Sequence, residues 1–143
     1  MPDAAYDNGN IFSKILRGEI PAHKVYEDSD VVAFMDVMPQ APGHTLVVPK
    51  AASRNLLDAD ADVLARLLPV VQKIAIAAKT AFGADGITIM QFNEAPAGQT
   101  VFHLHVHVIP RHEGVALKSH ARGMENGDVL ASHAAKLKAA LAV

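Results

Sequence analysis

Along residues 11–17, Ile11 and Ile15 stand four apart with Phe12 and Leu16 beside them, the spacing of a short helix face. Gly18 and Pro21 predict its end. Residues 23–27 read as a strand, and Asp28, Ser29 and Asp30 as a turn. Residues 31–35 form a continuous apolar run, which predicts a central strand covered on both faces. Loop 36–43, with two prolines and a glycine, leads into a third strand over 44–49, and the short connection predicts an antiparallel pair. From about residue 53 to residue 82 the period becomes helical. Leu64, Leu67, Leu68, Val71, Ile74, Ala75 and Ala78 recur at intervals of three or four. The stripe stays in phase across Pro69, which predicts one helix kinked near residues 65–68 rather than two helices. Gly83 supplies the stop. Residues 86–92 form a fourth strand, 93–98 a turn and 98–110 a fifth strand. Residues 128–141 close the chain as a helix with Val129, Leu130, His133, Leu137 and Leu141 on one side. Strands and helices mix without a repeating βαβ order. The expected fold class is α+β, with a mainly antiparallel sheet of about five strands, one long helix and a C-terminal helix. Residues 1–9 read as a flexible arm and residues 10–143 as a single domain.

The fifth strand is the unusual one. Within it His103, His105 and His107 alternate with Leu104, Val106 and Val108. Side chains alternate across a strand, so the three imidazoles are expected on one face with Val101 in line, and the aliphatic residues on the other against helices. Neighbours on that face are about 6.6–6.8 Å apart along the strand. Three polar rings side by side need hydrogen-bond partners or a chemical task.

Composition narrows the task. The chain has 143 residues, no cysteine and a formal net charge of −2. It is long enough for one well-buried core, has no thiolate metal site or disulfide framework, and offers no dedicated nucleic-acid surface. No apolar run approaches the roughly 20 residues needed to span a bilayer, and the N-terminus lacks the order of a signal peptide. A cytoplasmic location without a membrane partner is expected.

For the histidine row three chemistries compete. As metal ligands, three consecutive same-face imidazoles span too far to meet one ion at about 2.0–2.1 Å, so two of them with Glu113, His112 or His44 would be easier. As acid–base or nucleophilic groups, a histidine attacking phosphorus needs one bare ring nitrogen, with the proton on the other held by an acceptor. The third reading is a set of structural histidines, each satisfied by hydrogen bonds, and it is the default for His23, His120 and His133.

The run His103-Leu104-His105-Val106-His107-Val108-Ile109 resembles the His-φ-His-φ-His-φ-φ signature of the histidine-triad family, where φ is apolar. Gly98, Gln99, Thr100, Val101 and Phe102 are similar to that family's phosphate loop. Further similar segments lie at 11–15, 18–21, 25–28, 34–36 and 43–50, and at Asn93, so the resemblance covers about residues 10–112. It implies a nucleotide-binding fold of that family that usually dimerises and acts at the α-phosphorus of a purine nucleotide. By the same resemblance His105 would be the nucleophile and form a nucleotidyl-histidine intermediate that water hydrolyses. His107 would contact the phosphate, and His103 and His44 would maintain the hydrogen-bonding network. Gln99 and Thr100, after Gly98, would bind phosphate or leaving group. Asp36 would accept from the ribose hydroxyls, and Ile11, Phe12, Ile15, Phe34 and Val37 would sandwich the base, with Asn93 and Val101 also at the nucleotide. No cofactor or metal is implied. Asn10 and Ser13 stand where many bacterial relatives carry zinc-binding cysteines, so no structural zinc is expected. His107 stands where nucleotide-transferring relatives carry glutamine, which favours a hydrolase of nucleoside phosphoramidates or dinucleoside polyphosphates. A His-ligated metal-dependent hydrolase and a nucleotide-binding scaffold with vestigial catalysis are the alternatives.

Overall fold

The computed structural model describes residues 5–119 and 123–142. Helix α1 spans Ile11–Leu16, followed by strands β1 at Lys24–Glu27, β2 at Val31–Met35 and β3 at Thr45–Pro49. A 3-10 turn at Leu56–Asp58 precedes helix α2 at Ala61–Ala81. Strand β4 at Gly86–Met90, a second 3-10 turn at Ala95–Ala97, strand β5 at Val106–Arg111 and helix α3 at Gly127–Leu141 complete the chain. The five strands form one sheet in the order β1-β2-β3-β5-β4, every pair antiparallel. This is the expected α+β architecture. None of the described helices is long and apolar enough to cross a membrane.

The alternation within β2 shows how the layers form. Val31, Ala33 and Met35 face α2 and α3, where they meet Leu67, Val71, Ile74 and Leu137. Val32 and Phe34 face the other way and pack with Leu46, Val48 and with Phe12 and Ile15 of α1. All five residues of β2 are buried, as a run without a polar side requires. Leu104, Val106 and Val108 join the α2-side core, the placement expected from their alternation with the histidines.

Several expectations are corrected in detail. Helix α2 begins at Ala61 rather than near residue 53. Asn55 instead caps the 3-10 turn in a reciprocal box, accepting from Leu57 N at 2.9 Å while Asp58 accepts from Asn55 N at 3.0 Å. The helix then runs through Pro69 as one element, and Pro69 is exposed, so the Ala65 carbonyl it cannot bond faces the solvent side. Leu68, placed in the buried stripe by its spacing, is 66 % exposed, and Val70 is buried instead. On α3, Val129 is exposed and Ala134 takes its place in the core beside Leu130 and Leu137. Of the expected arm, residues 1–4 lie outside the described residues, whereas Tyr6 is half-buried and bonded to the histidine cluster. His120 also lies outside the described residues.

Candidate active site

The histidine row is not one strand. Strand β5 begins at Val106, so only His107 sits in the ladder, between Leu46 of β3 and Met90 of β4. The reason is local. Leu104 N donates to Ser53 O at 2.8 Å and the His103 carbonyl accepts from His105 Nδ1 at 2.7 Å. The main-chain groups of residues 103 and 104 are therefore directed away from a strand partner. The imidazoles still converge: the His105 and His107 ring centroids are 5.0 Å apart and those of His44 and His107 are 5.1 Å apart. His103 and His44 are fully buried, and His105 and His107 nearly so.

The partners fix where each proton sits. Backbone carbonyls and amides cannot change roles, so they serve as fixed points. The His103 carbonyl can only accept; His105 therefore carries its proton on Nδ1 and presents a lone pair on Nε2. Gln40 N donates to His44 Nδ1 at 3.0 Å, so the neutral His44 ring carries its proton on Nε2. That Nε2 lies 2.9 Å from His107 Nδ1, which must then accept, leaving the His107 proton on Nε2. His103 Nε2 donates to Pro49 O at 2.7 Å, and its Nδ1 lies 2.5 Å from the Tyr6 hydroxyl. Burial holds the His103 imidazole below its ordinary pKa, which keeps the ring neutral. The result is an unprotonated Nε2 on His105 and an N–H donor on His107, with the two ring centroids 5.0 Å apart.

The same fixed points test the site as a metal centre. Ligand atoms of Asp36, His44 and His107 lie within 4.8 Å of one another, all buried. A metal on His44 Nε2 would require the ring proton on Nδ1, where it would meet the Gln40 N–H head-on. Asp36 already accepts from Met38 N at 2.8 Å through Oδ1, and its Oδ2 is 3.4 Å from His44 Nε2. The trio fits a hydrogen-bonded chain better than a ligand set. His112 and Glu113 lie elsewhere, against Phe82 O and Asp85 respectively.

Helix α1 supplies one wall. Asn10 caps it by accepting from Ser13 N at 2.9 Å, and its first turn carries Phe12, whose ring meets His105 edge-on at 4.8 Å. Phe12, Ile15 and Phe34 pack together, with Val101 against them. Ile11 sits on the exposed side of α1, 44 % accessible. Val37 packs against the α2-side core instead of this wall.

In the loop before the triad one side chain, that of Gln99, is engaged otherwise than expected. Gly98 is exposed in a left-handed conformation, φ +107°, and a Cβ there would press on Phe92 at 3.3 Å. Thr100 is exposed, but the Gln99 side chain points inward instead of to a phosphate. Its carboxamide oxygen accepts from Glu94 N at 2.7 Å and Asn55 Nδ2 at 3.1 Å. Its nitrogen donates to Arg54 O at 2.7 Å and Val101 O at 3.0 Å. With all these bonds made inside the protein, Gln99 shapes the loop. Asn93 ties the same region to the 3-10 turn by accepting from Leu56 N at 2.9 Å.

Arg54, Asn55 and Glu94, absent from the sequence reading, complete this scaffold. Glu94 is the one non-glycine residue with positive φ among the described residues, at 75°. Its carboxylate receives Arg54 Nε at 2.8 Å and Nη2 at 2.9 Å, and the guanidinium holds the Glu94 pKa below the usual carboxylate range. The Arg54 guanidinium also lies over the Phe102 ring at 4.2 Å. The spacing of Asn55 and Asp58 is a readable capping signal; nothing local marks Tyr6 or the Gln40 amide.

Comparison with known proteins follows the same lines. Residues 17–114 match the model of the HIT domain. A crystal structure of a Hit-like protein from Bartonella henselae, described as involved in cell-cycle regulation and as holding an unknown ligand, superposes with a TM-score of 0.90. It is 60 % identical, covering 95 % of this chain and 99 % of that one. The structure of a histidine triad nucleotide-binding protein from Candida albicans superposes at TM-score 0.68 with 33 % identity, over 93 % of this chain and 97 % of that one. Adenylylsulfatase HINT3 of Arabidopsis thaliana is 39 % identical over 113 residues, spanning 79 % of this chain and 57 % of that protein.

Proposed function

The chain belongs to the HIT domain family, and on that premise we propose that it hydrolyses purine nucleotides at the α-phosphorus through a covalent nucleotidyl intermediate on His105. The observation that carries this reading is the 2.7 Å contact between His105 Nδ1 and the His103 carbonyl: the carbonyl can only accept, so the neutral ring carries its proton on Nδ1 and its lone pair on Nε2. Nε2 forms a bond to the α-phosphorus while the bond to the leaving group breaks. A polyphosphate leaving group departs with the electron pair as an anion, whereas the amine of a phosphoramidate takes up a proton from solvent as its P–N bond breaks. Positive charge then spreads over the His105 ring, and the carbonyl dipole at Nδ1–H is already oriented to meet it. His107 presents Nε2–H to a phosphoryl oxygen at the same stage. In the second step water attacks phosphorus and gives up a proton to solvent, the P–N bond breaks and His105 regains its lone pair, releasing a nucleoside monophosphate.

The apolar wall of Phe12, Ile15 and Phe34 suits a purine ring, and Asp36, whose Oδ2 is 3.4 Å from His44 Nε2, would accept from the ribose hydroxyls. The substrate class is a nucleoside phosphoramidate or a dinucleoside polyphosphate, and a scissile phosphorus flanked by an amine or phosphate fits a mechanism that leaves the leaving group to solvent. The reading needs no metal, and the Gln40 N–H on His44 Nδ1 opposes ligation by that ring. The working unit is a homodimer. Strand β4 forms a sheet edge, and beside it Ile89 (46 % exposed) and Leu68 (66 % exposed) leave apolar surface along α2.

His105→Ala tests the proposal. The variant is expected to lose turnover of adenosine phosphoramidate and of diadenosine polyphosphates while still binding AMP, and wild-type protein should remain active after exhaustive chelation. Full activity in the variant overturns the mechanism, activity lost on chelation favours a metal-dependent hydrolase, and AMP binding by wild type without turnover of either substrate favours a scaffold.

A further inference from the structure

We propose that Tyr6 is a positioning residue for His105, acting through the His103 side chain and carbonyl. The inference rests on His105 being the nucleophile and concerns what holds it.

The geometry forms a directed chain. The Pro49 carbonyl accepts from His103 Nε2 at 2.7 Å, so in the neutral ring Nδ1 is the acceptor. The group facing Nδ1 at 2.5 Å is the Tyr6 hydroxyl, which must therefore donate its single proton there. The Tyr6 oxygen in turn accepts from Asn10 Nδ2 at 3.1 Å and from the Ser13 hydroxyl. The Tyr6 proton being held by His103, the Ser13 hydroxyl must be the donor in its contact with Tyr6. Ser13 Oγ and the Tyr6 oxygen share one N–H of Asn10 Nδ2, whose other N–H goes to Asp7 O at 2.8 Å. His103 is thus pinned at both ring nitrogens, one by β3 and one by the segment before α1. The carbonyl of this pinned residue receives the His105 Nδ1–H.

One turn of α1 therefore acts on the nucleophile by two routes. Phe12 packs edge-on against the His105 ring, while Asn10 and Ser13 reach it through Tyr6 and His103. Tyr6 also touches His103 with its own ring, edge-on at 5.6 Å, so removal of the hydroxyl alone leaves that packing in place. Without the hydroxyl, the His103 ring would keep its bond to Pro49 and its packing against Tyr6 but lose the second fixed nitrogen. The slack in the ring would reach the His103 main chain through Cβ and loosen the carbonyl bond to His105 Nδ1.

Tyr6→Phe, with Ser13→Ala as the second variant, tests this in the full chain. In Tyr6→Phe the nitrogen resonance of His103 Nδ1 should shift as an imine nitrogen does on losing a donor. The proton on His105 Nδ1 should exchange with water about tenfold faster, and kcat should fall about tenfold with KM within about twofold. Ser13→Ala should change the same quantities in the same direction but less, because Tyr6 keeps its bond to His103. An unchanged His105 Nδ1 exchange rate in Tyr6→Phe overturns the proposal, and so does a change confined to KM, which would make Tyr6 part of the substrate pocket. If the wild-type protein turns over no nucleotide, the proposed hydrolase activity fails while the exchange measurement still decides the role of Tyr6.

Discussion

His44→Leu separates the stability of the site from its chemistry. The His44 ring accepts from Gln40 N on one side and donates to His107 on the other, at 3.0 and 2.9 Å. A leucine fills comparable volume but ends both bonds, leaving two groups that face a buried side chain without their partner. Each such loss costs about 1–3 kcal/mol, and burying an aliphatic side chain in place of an imidazole offsets part of it, so the net is about 2–4 kcal/mol. For a chain of 143 residues, each kcal/mol moves Tm by roughly 3 °C, giving a drop of about 6–12 °C. The kinetic effect has a separate origin. Without the His44 donor, His107 can carry its proton on Nδ1 and turn a lone pair to the phosphoryl oxygen. Loss of one hydrogen bond to a charged acceptor, about 1.5–3 kcal/mol, lowers kcat about 10- to 150-fold. Two further variants divide the effects. Asparagine places an oxygen near the former Nδ1 and should restore the acceptor for Gln40, recovering Tm. Glutamine places its amide nitrogen near the former Nε2 and should restore the donor to His107, recovering kcat. Urea unfolding followed by circular dichroism and steady-state kinetics on an adenosine phosphoramidate read the two. A His44→Leu enzyme with kcat within twofold of wild type, or a kcat restored as well by asparagine as by glutamine, refutes the assignment of protons.

Gly43→Ala should destabilise by about 2–5 kcal/mol in the same unfolding assay, because φ is +88° and the new Cβ would lie 2.6 Å from the Phe82 ring. Stability should fall as pH drops below about 6.5: burial depresses the pKa of both His103 and His133 from the ordinary 6.5, so the unfolded chain takes up protons first. His133 Nδ1 is buried with no hydrogen-bond partner among the described residues and its ring meets Phe82, with Lys136 and Glu125 as its charged neighbours. His133→Phe should therefore raise stability at pH 6 and flatten the pH slope. Leu68→Glu combined with Ile89→Glu should convert the proposed dimer to monomer in sedimentation at micromolar concentration, with the monomer's fold retained by circular dichroism.

The sequence reveals what depends on periodicity. The run 31–35 has no polar side and lies between two packed layers; Leu104, Val106 and Val108 alternate and face α2. It misleads where tertiary bonds override period. The alternation of residues 103–107 suggests one strand, yet Ser53 O and His105 Nδ1 draw the backbone of residues 103 and 104 off the ladder. Leu68 fits the helical stripe by spacing but lies on the face left open beside Ile89. Gln99 is singled out by its position next to the triad, and its partners Arg54, Asn55 and Glu94 come from loops that carry no period at all. Tyr6 is 97 residues from His103 in the chain, and no local pattern ties one hydroxyl to a ring that far away.

The proton arrangement of the His44–His107 pair begins at a peptide group rather than a side chain. The Gln40 amide carries its hydrogen whatever residue occupies position 40, so for the direction of these protons the side chain there is immaterial, with one exception. Proline alone would abolish the donor, although its neighbours Pro39 and Pro42 already are prolines. An amide hydrogen also does not titrate in any range the protein meets, so acid and base act on the ends of the chain and not on its origin. The sense of the site is thus stored in a part of the molecule that ordinary substitution does not reach. Divergence among chains built on this arrangement is then expected to concentrate in the walls and loops around the histidines, while the direction of their protons is inherited unchanged.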